Sequence, residues 1–320
     1  MHRQHVFTLW LASSALLAAC SLQEASNRVD TSSASGQRTA TRSWNPDNWQ
    51  PPVVDSTPDD PYEVSVYRGL AIMTHVRDSL PEYTGSNLNC TSCHLDEGRR
   101  PNAMPLAGVF ARFPHYVDRV GAVVPLEDRI NYCFTRSLAG SKLPPDSREM
   151  QDIVAYLNFI SRGVPTGEHV RGEGLPKLPM LSSDSARGRR LYVDNCARCH
   201  GSNGAGMGPI PALWGPRSFD IGASLARRER AASFIRGNMP FDRPGSLTVQ
   251  QSFDIAAYIT SMPRPDLPGK EDDWAAGGAP SDVPYDTKGH KAFHPPRLIP
   301  RQGNASGAIV PAPPSVIRAR

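Results

Sequence analysis

The sequence predicts an all-α fold of two tandem helical units with long loops and an irregular C-terminal tail. Three observations carry that expectation. The motif Cys-x-x-Cys-His occurs twice, at 90–94 and 196–200. The order helix, motif, long loop, aromatic-bearing helix also occurs twice, with DIVAYLNFIS at 152–161 answered by DIAAYITSMP at 254–263, a weak internal repeat. Helical periodicity dominates both units, and no βαβ pattern surrounds either motif.

Chain length allows two small domains with linkers, since there are 320 residues. The net charge of +4 comes without a dense Lys/Arg block, so no nucleic-acid partner is expected. The 31 prolines and 26 glycines favour loops over long regular elements.

Residues 1–19 read as a signal peptide: Arg3 supplies the positive start, and 6–19 is an apolar run too short to span a bilayer. The run ends in Leu-Ala-Ala-Cys, which resembles a bacterial lipobox, so Cys20 is the expected lipidation site. The implied address is the periplasmic side of a bacterial membrane, held by a lipid anchor. Residues 20–60 follow as a polar, flexible tether.

The first unit spans 61–165. Helical periodicity covers 62–80 and 146–160, and Asp146 with Glu149 has capping-box spacing. Residues 166–180 read as a linker. The second unit spans 181–263, with helical patterns at 185–196 and 248–261; Thr248 and Gln251 again have capping-box spacing. Residues 264–320 form the irregular, Pro-rich tail, partly disordered towards its end.

Six cysteines are present: Cys20, Cys90, Cys93, Cys133, Cys196 and Cys199. In Cys-x-x-Cys-His two thiols add to the vinyl groups of one haem, and the adjacent His binds its iron. Cys90, Cys93 and His94 therefore form one haem c site, and Cys196, Cys199 and His200 a second. A Cys₄ zinc site would leave both histidines unexplained and separate its ligand pairs too far. The two units are thus expected to be tandem cytochrome c domains with two covalently bound haems.

Each iron needs a distal ligand. In the second unit Met239, followed by Pro240 and preceding the last helix, is the candidate; Met207 lies too close to His200. In the first unit the candidates are Met104 and Cys133. Cys133 stands as far past His94 as Met239 stands past His200, and it is the cysteine left after the other assignments. A buried apolar thiol is the plain alternative. The segment 126–134 reads as a helix with acids in its first turn. Arg129, Cys133 and Ser137 share one face at i, i+4, i+8, with Arg136 near it. Guanidinium groups there would depress the thiol pKa and form an anion pocket, which an electron carrier does not need.

Three stretches, LNCTSCHL at 88–95, LEDRINYCFTRS at 126–137 and DWAAGGAPSDVPY at 273–285, resemble the dihaem thiosulfate dehydrogenases, which also reduce tetrathionate. The resemblance covers roughly 60–290. It implies a catalytic haem iron held by His94 and Cys133, and an electron-transfer haem iron held by His200 and Met239. It also implies an anion site lined by Arg119, Arg129 and Ser137, and Cys133 as nucleophile. Asn238 stands where some members carry a Lys that ligates the oxidised iron. The implied partners are thiosulfate and tetrathionate, and a soluble cytochrome c or similar electron partner. Two rivals remain: a non-catalytic dihaem carrier, and a haem-thiolate subunit of a sulfur-oxidising complex.

Overall fold

A computed structural model describes residues 44–54 and 60–302. Helices dominate. Helix α1 (Pro61–Thr74) starts on Asp60, whose carboxylate accepts the Glu63 N–H, with Pro61 in the first turn. The periodicity over 62–80 predicts one helix, but His75 leaves the helical region at φ −135° and a separate turn follows at Val76–Ser79. Thr74 returns its hydroxyl to the Leu70 and Ala71 carbonyls at the break.

A short antiparallel hairpin pairs β1 (His115–Val117) with β2 (Ala122–Val124), and its turn carries Arg119. Helix α2 (Leu126–Tyr132) does not continue as an α-helix through Ser137. It widens into a π-helical turn, Cys133–Ser137, where the Leu138 N–H donates to the Cys133 carbonyl at 2.8 Å. The simple i, i+4, i+8 face is therefore broken at Cys133, the kind of widening that recurs at functional sites.

Helix α3 (Arg148–Phe159) is capped by Ser147, whose hydroxyl accepts the Met150 N–H. Ser147 displaces the expected Asp146–Glu149 box by one residue, because the extended backbone at Ser147 puts its hydroxyl under the first turn. The second unit contributes α4 (Ser185–Asn195), α5 (Arg228–Asn238) and α6 (Val249–Ser261). At α6 both halves of the Thr248–Gln251 capping box are made.

Both units rest on the same helix crossing. Helix α1 meets α3 at Gly69, where a Cβ would lie 2.0 Å from the Asp152 carbonyl oxygen. Helix α4 meets α6 at Gly188, where a Cβ would lie 1.9 Å from the Asp254 carbonyl oxygen. Beside each glycine an arginine grips the facing carboxylate through two nitrogens: Arg68 on Asp152 at 2.7 and 2.9 Å, and Arg187 on Asp254 at 2.5 and 2.9 Å.

The units are fastened together. Phe219, Ala223 and Ala226 are buried in the core formed by α1 and α3. The Asn87 N–H donates to the Arg217 carbonyl at 2.8 Å, and the Asp220 N–H to the Arg136 carbonyl at 3.0 Å. Past α6 the chain is irregular but packed as far as it is described. Leu267, Trp274, Val283 and Tyr285 form a small core with Ile221, and β3 (Arg264–Pro265) pairs in parallel with β4 (Leu298–Ile299). The proposed leader, Cys20 and most of the tether, and residues 303–320, lie outside the described residues.

Candidate active site and haem sites

The first Cys-x-x-Cys-His begins on a single 3₁₀ turn, Cys90–Ser92, closed by reciprocal Asn89 and Ser92 bonds. Cys90, Cys93, His94 and Cys133 line a cavity of about 430 Å³, whose walls include Met73, Leu126, Phe134 and Phe219. His94 Nδ1 lies 2.6 Å from the Met104 carbonyl oxygen. A carbonyl only accepts, so Nδ1 carries the proton and Nε2 keeps its lone pair for a metal. Met104 thus contributes its backbone, at a left-handed φ of 53°.

His94 and Cys133 line the same cavity, close enough for the imidazole to favour the thiolate. Arg129 Nη1 donates to Cys133 Sγ at 3.4 Å. Burial alone would push the Cys133 thiol up, but the Arg129 charge and the His94 contact outweigh it and bring the thiol down to about 6. Cys90 and Cys93 lack such partners, and burial raises both to about 12.

Five arginines line this cavity: Arg112, Arg119, Arg129, Arg136 and Arg230. Two are neutralised. Arg112 pairs with Glu173 at 2.5 Å, and Arg136 forks onto Asp273 at 2.7 and 2.8 Å, with the Tyr285 hydroxyl also donating to Asp273. The other three have no ion pair among the described residues. Arg119 donates to the Gly222 carbonyl at 2.6 Å and stacks 4.4 Å from the Trp274 ring. Arg230 donates to the Ser224 hydroxyl at 3.3 Å. Burial, then the neighbouring charge of Arg227, lowers the Arg230 pKa, and Arg129 adds to the effect.

The structure therefore brings Arg119, Arg129, Cys133 and Ser137 to one cavity, as the sequence reading grouped them. It gives Arg136 to the tail rather than leaving it free. Sequence reasoning missed Arg112 and Arg230; Arg230 sits in an Arg-rich stretch of α5 that looks like an ordinary solvated face.

In the second unit a short turn, Ala197–His200, carries the motif. His200 Nδ1 lies 2.9 Å from the Pro211 carbonyl oxygen, again leaving Nε2 free. Met239 follows α5 and packs partly buried between two apolar clusters, whereas Met207 is 51% exposed. The buried Asn238 amide is occupied, donating to the Asn102 and Phe234 carbonyls at 3.2 Å each.

These residues fit haem c at both sites: two thiols, an adjacent imidazole with a fixed tautomer and, at the first, a cavity whose walls are largely apolar. The fold and its sites define a dihaem c-type cytochrome. Residues 81–166 match the family model described as "SoxA/TsdA, cytochrome c domain", and 185–263 match "Cytochrome c". The chain is 40% identical to a thiosulfate dehydrogenase of Psychrobacter arcticus, over 72% of this chain and 73% of that one. It is 37% identical to a thiosulfate dehydrogenase of Allochromatium vinosum, over 68% and 87%. The solved thiosulfate dehydrogenase (TsdBA) of Marichromatium purpuratum superposes with a TM-score of 0.67 at 32% identity, covering 69% of this chain and half of that one. The chain belongs to the thiosulfate dehydrogenase family.

Proposed function

We propose that this chain is an enzyme interconverting thiosulfate and tetrathionate at the Cys133 cavity, exchanging electrons with a partner through its second haem. The observation that carries this reading is Cys133, 3.4 Å from an Arg129 nitrogen, in a cavity where Arg119, Arg129 and Arg230 have no ion pair among the described residues. A pure electron carrier has no use for such a pocket.

His94 and Cys133 would hold the first iron, and His200 and Met239 the second. When bound, each haem supplies a one-electron acceptor or donor. The partly buried position of Met239, against the exposure of Met207, supports the second assignment.

The side chains then account for the sulfur chemistry. Arg119, Arg129 and Arg230 offset the charge of the dianionic substrate, most strongly where water is excluded. Arg129 keeps Cys133 as thiolate. The thiolate and the outer sulfur of one thiosulfate form a sulfur–sulfur bond as two electrons leave, giving a cysteine S-thiosulfonate. The outer sulfur of a second thiosulfate attacks the outer sulfur of that adduct. Tetrathionate forms and Cys133 departs as thiolate. Charge balances in both steps, and tetrathionate reduction is the reverse.

The electron partner would be a soluble cytochrome c or a similar carrier. The Leu-Ala-Ala-Cys run supports export and lipidation at Cys20, which would anchor the enzyme on the periplasmic side of a membrane. Cys20→Ala should move the protein from the membrane to the soluble fraction with both haems intact; unchanged fractionation would place the anchor elsewhere. The functional reading is tested by steady-state assays in both directions on haem-loaded protein. Thiosulfate-dependent reduction of cytochrome c is expected, and its absence alongside intact haems would return the chain to the carrier class.

A further inference from the structure

Arg119 is held in place from outside both cytochrome units. It sits at the tip of the β1–β2 hairpin, whose strands are three residues each and leave Tyr116 and Val123 exposed. So short a hairpin does not fix its own tip. The tail does: the Trp274 N–H donates to the Arg119 carbonyl at 2.8 Å, and the Trp274 ring lies 4.4 Å from the Arg119 guanidinium. The ring is itself fixed. Trp274 is buried with Leu267, Val283 and Tyr285. Its φ of 55° is rare for a bulky residue and persists only where the surroundings impose it.

Consecutive residues of the tail treat two arginines of the cavity differently. Asp273 forks onto Arg136 and cancels its charge. Trp274 offers Arg119 a π face, which attracts a cation and sets the plane of the guanidinium while adding no negative charge. Arg119 Nη1 is taken by the neutral Gly222 carbonyl, and its Nε and Nη2 make no hydrogen bond among the described residues. Arg119 is therefore oriented by uncharged groups, lines the cavity of Cys133, and keeps donors for an anion.

We infer that Trp274 is the positioning residue for Arg119: its ring sets the guanidinium at the wall of the Cys133 cavity and leaves the charge available to thiosulfate. The inference rests on the anion site of the proposed function, so substrate binding and turnover are measured separately.

The test uses the full chain carrying both haems, reduced beforehand so that bound thiosulfate cannot be oxidised. Thiosulfate affinity is read by calorimetry, and wild-type turnover is assayed on the oxidised protein. Trp274→Leu should weaken binding by about tenfold, within the range of a desolvated cation–π contact. Trp274→Phe should keep most of the wild-type affinity. Arg119→Gln should weaken binding at least as much as Trp274→Leu. Adding Trp274→Leu in that background should cost nothing more, because the tryptophan acts through the arginine. Unchanged affinity in Trp274→Leu, or losses that multiply in the double variant, would overturn the proposal. Should Trp274→Leu fail to fold, Arg119→Lys decides, since it leaves the tail core intact and keeps the charge but not the planar fork. Loss of most of the affinity in Arg119→Lys supports the inference, and wild-type affinity there refutes it. A wild type that binds thiosulfate without turning it over removes the enzyme reading while the variants still decide on Trp274. A wild type that does not bind thiosulfate overturns both.

Discussion

The two units share a scaffold and differ in the residue proposed to oppose the haem histidine. Each crosses two helices at an Arg-Gly pair against a buried Asp, and each fixes its His with a backbone carbonyl ten or so residues on. In the second unit the distal segment offers Met239 from apolar packing. In the first it offers Cys133 from a π-helical turn beside Arg129. On the proposed reading, the difference teaches that the scaffold sets haem attachment, while one distal segment and its charged surroundings separate a reactive site from an electron relay.

Making the first distal ligand like the second is the strongest way to break this contrast. Cys133→Met should retain two haems but lose nearly all turnover in both directions, because a thioether cannot form the bond to substrate. The first haem's potential should rise as thiolate donation is lost. Retained turnover, measured by stopped-flow or steady-state assay, would reduce Cys133 to a tuning ligand.

Removing charge should have the next largest effect, and only at the first cavity. Arg129→Gln is expected to lower kcat/KM by about 100-fold, within the usual range for a lost electrostatic stabiliser. Arg230→Gln should cost about tenfold, expressed mainly in KM, as loss of uniform substrate binding does. Arg198→Gln, at the exposed Arg198–Asp242 pair of the second motif, should leave both constants unchanged. An equal loss at Arg198 would undo the distinction.

The shared scaffold makes the opposite prediction. Gly69→Ala and Gly188→Ala should each destabilise by about 1–3 kcal/mol, since both force apart a helix crossing. Denaturant unfolding that found only one of them harmful would show that the crossings are not equivalent.

The smallest expected effect concerns the start of α3. Ser147→Ala should cost about 1 kcal/mol in the same unfolding assay, as loss of a cap usually does, and Asp146→Ala close to nothing. The reverse order would restore the Asp146 box.

Haem attachment was legible in the sequence because its chemistry is local: two thiols and an imidazole within five residues leave few alternatives. The Thr248–Gln251 cap was legible for the same reason. Cys133 could be singled out by elimination and by its spacing from Arg129. Other features depend on segments far apart in the chain. Arg230 reaches the first cavity from a helix of the second unit. Asp273 takes Arg136 out of the set of free cations from 137 residues away. Arg264 can be seen as a buried cation only once Phe219, Ile259 and Asp220 are placed around it. Periodicity and motif spacing report covalent and helical neighbours, so the sequence by itself determined the haem sites and singled out Cys133, whose role as nucleophile the family resemblance implied. Which arginines stay unpaired depends on where the carboxylates fall in space, and only the tertiary structure decided that.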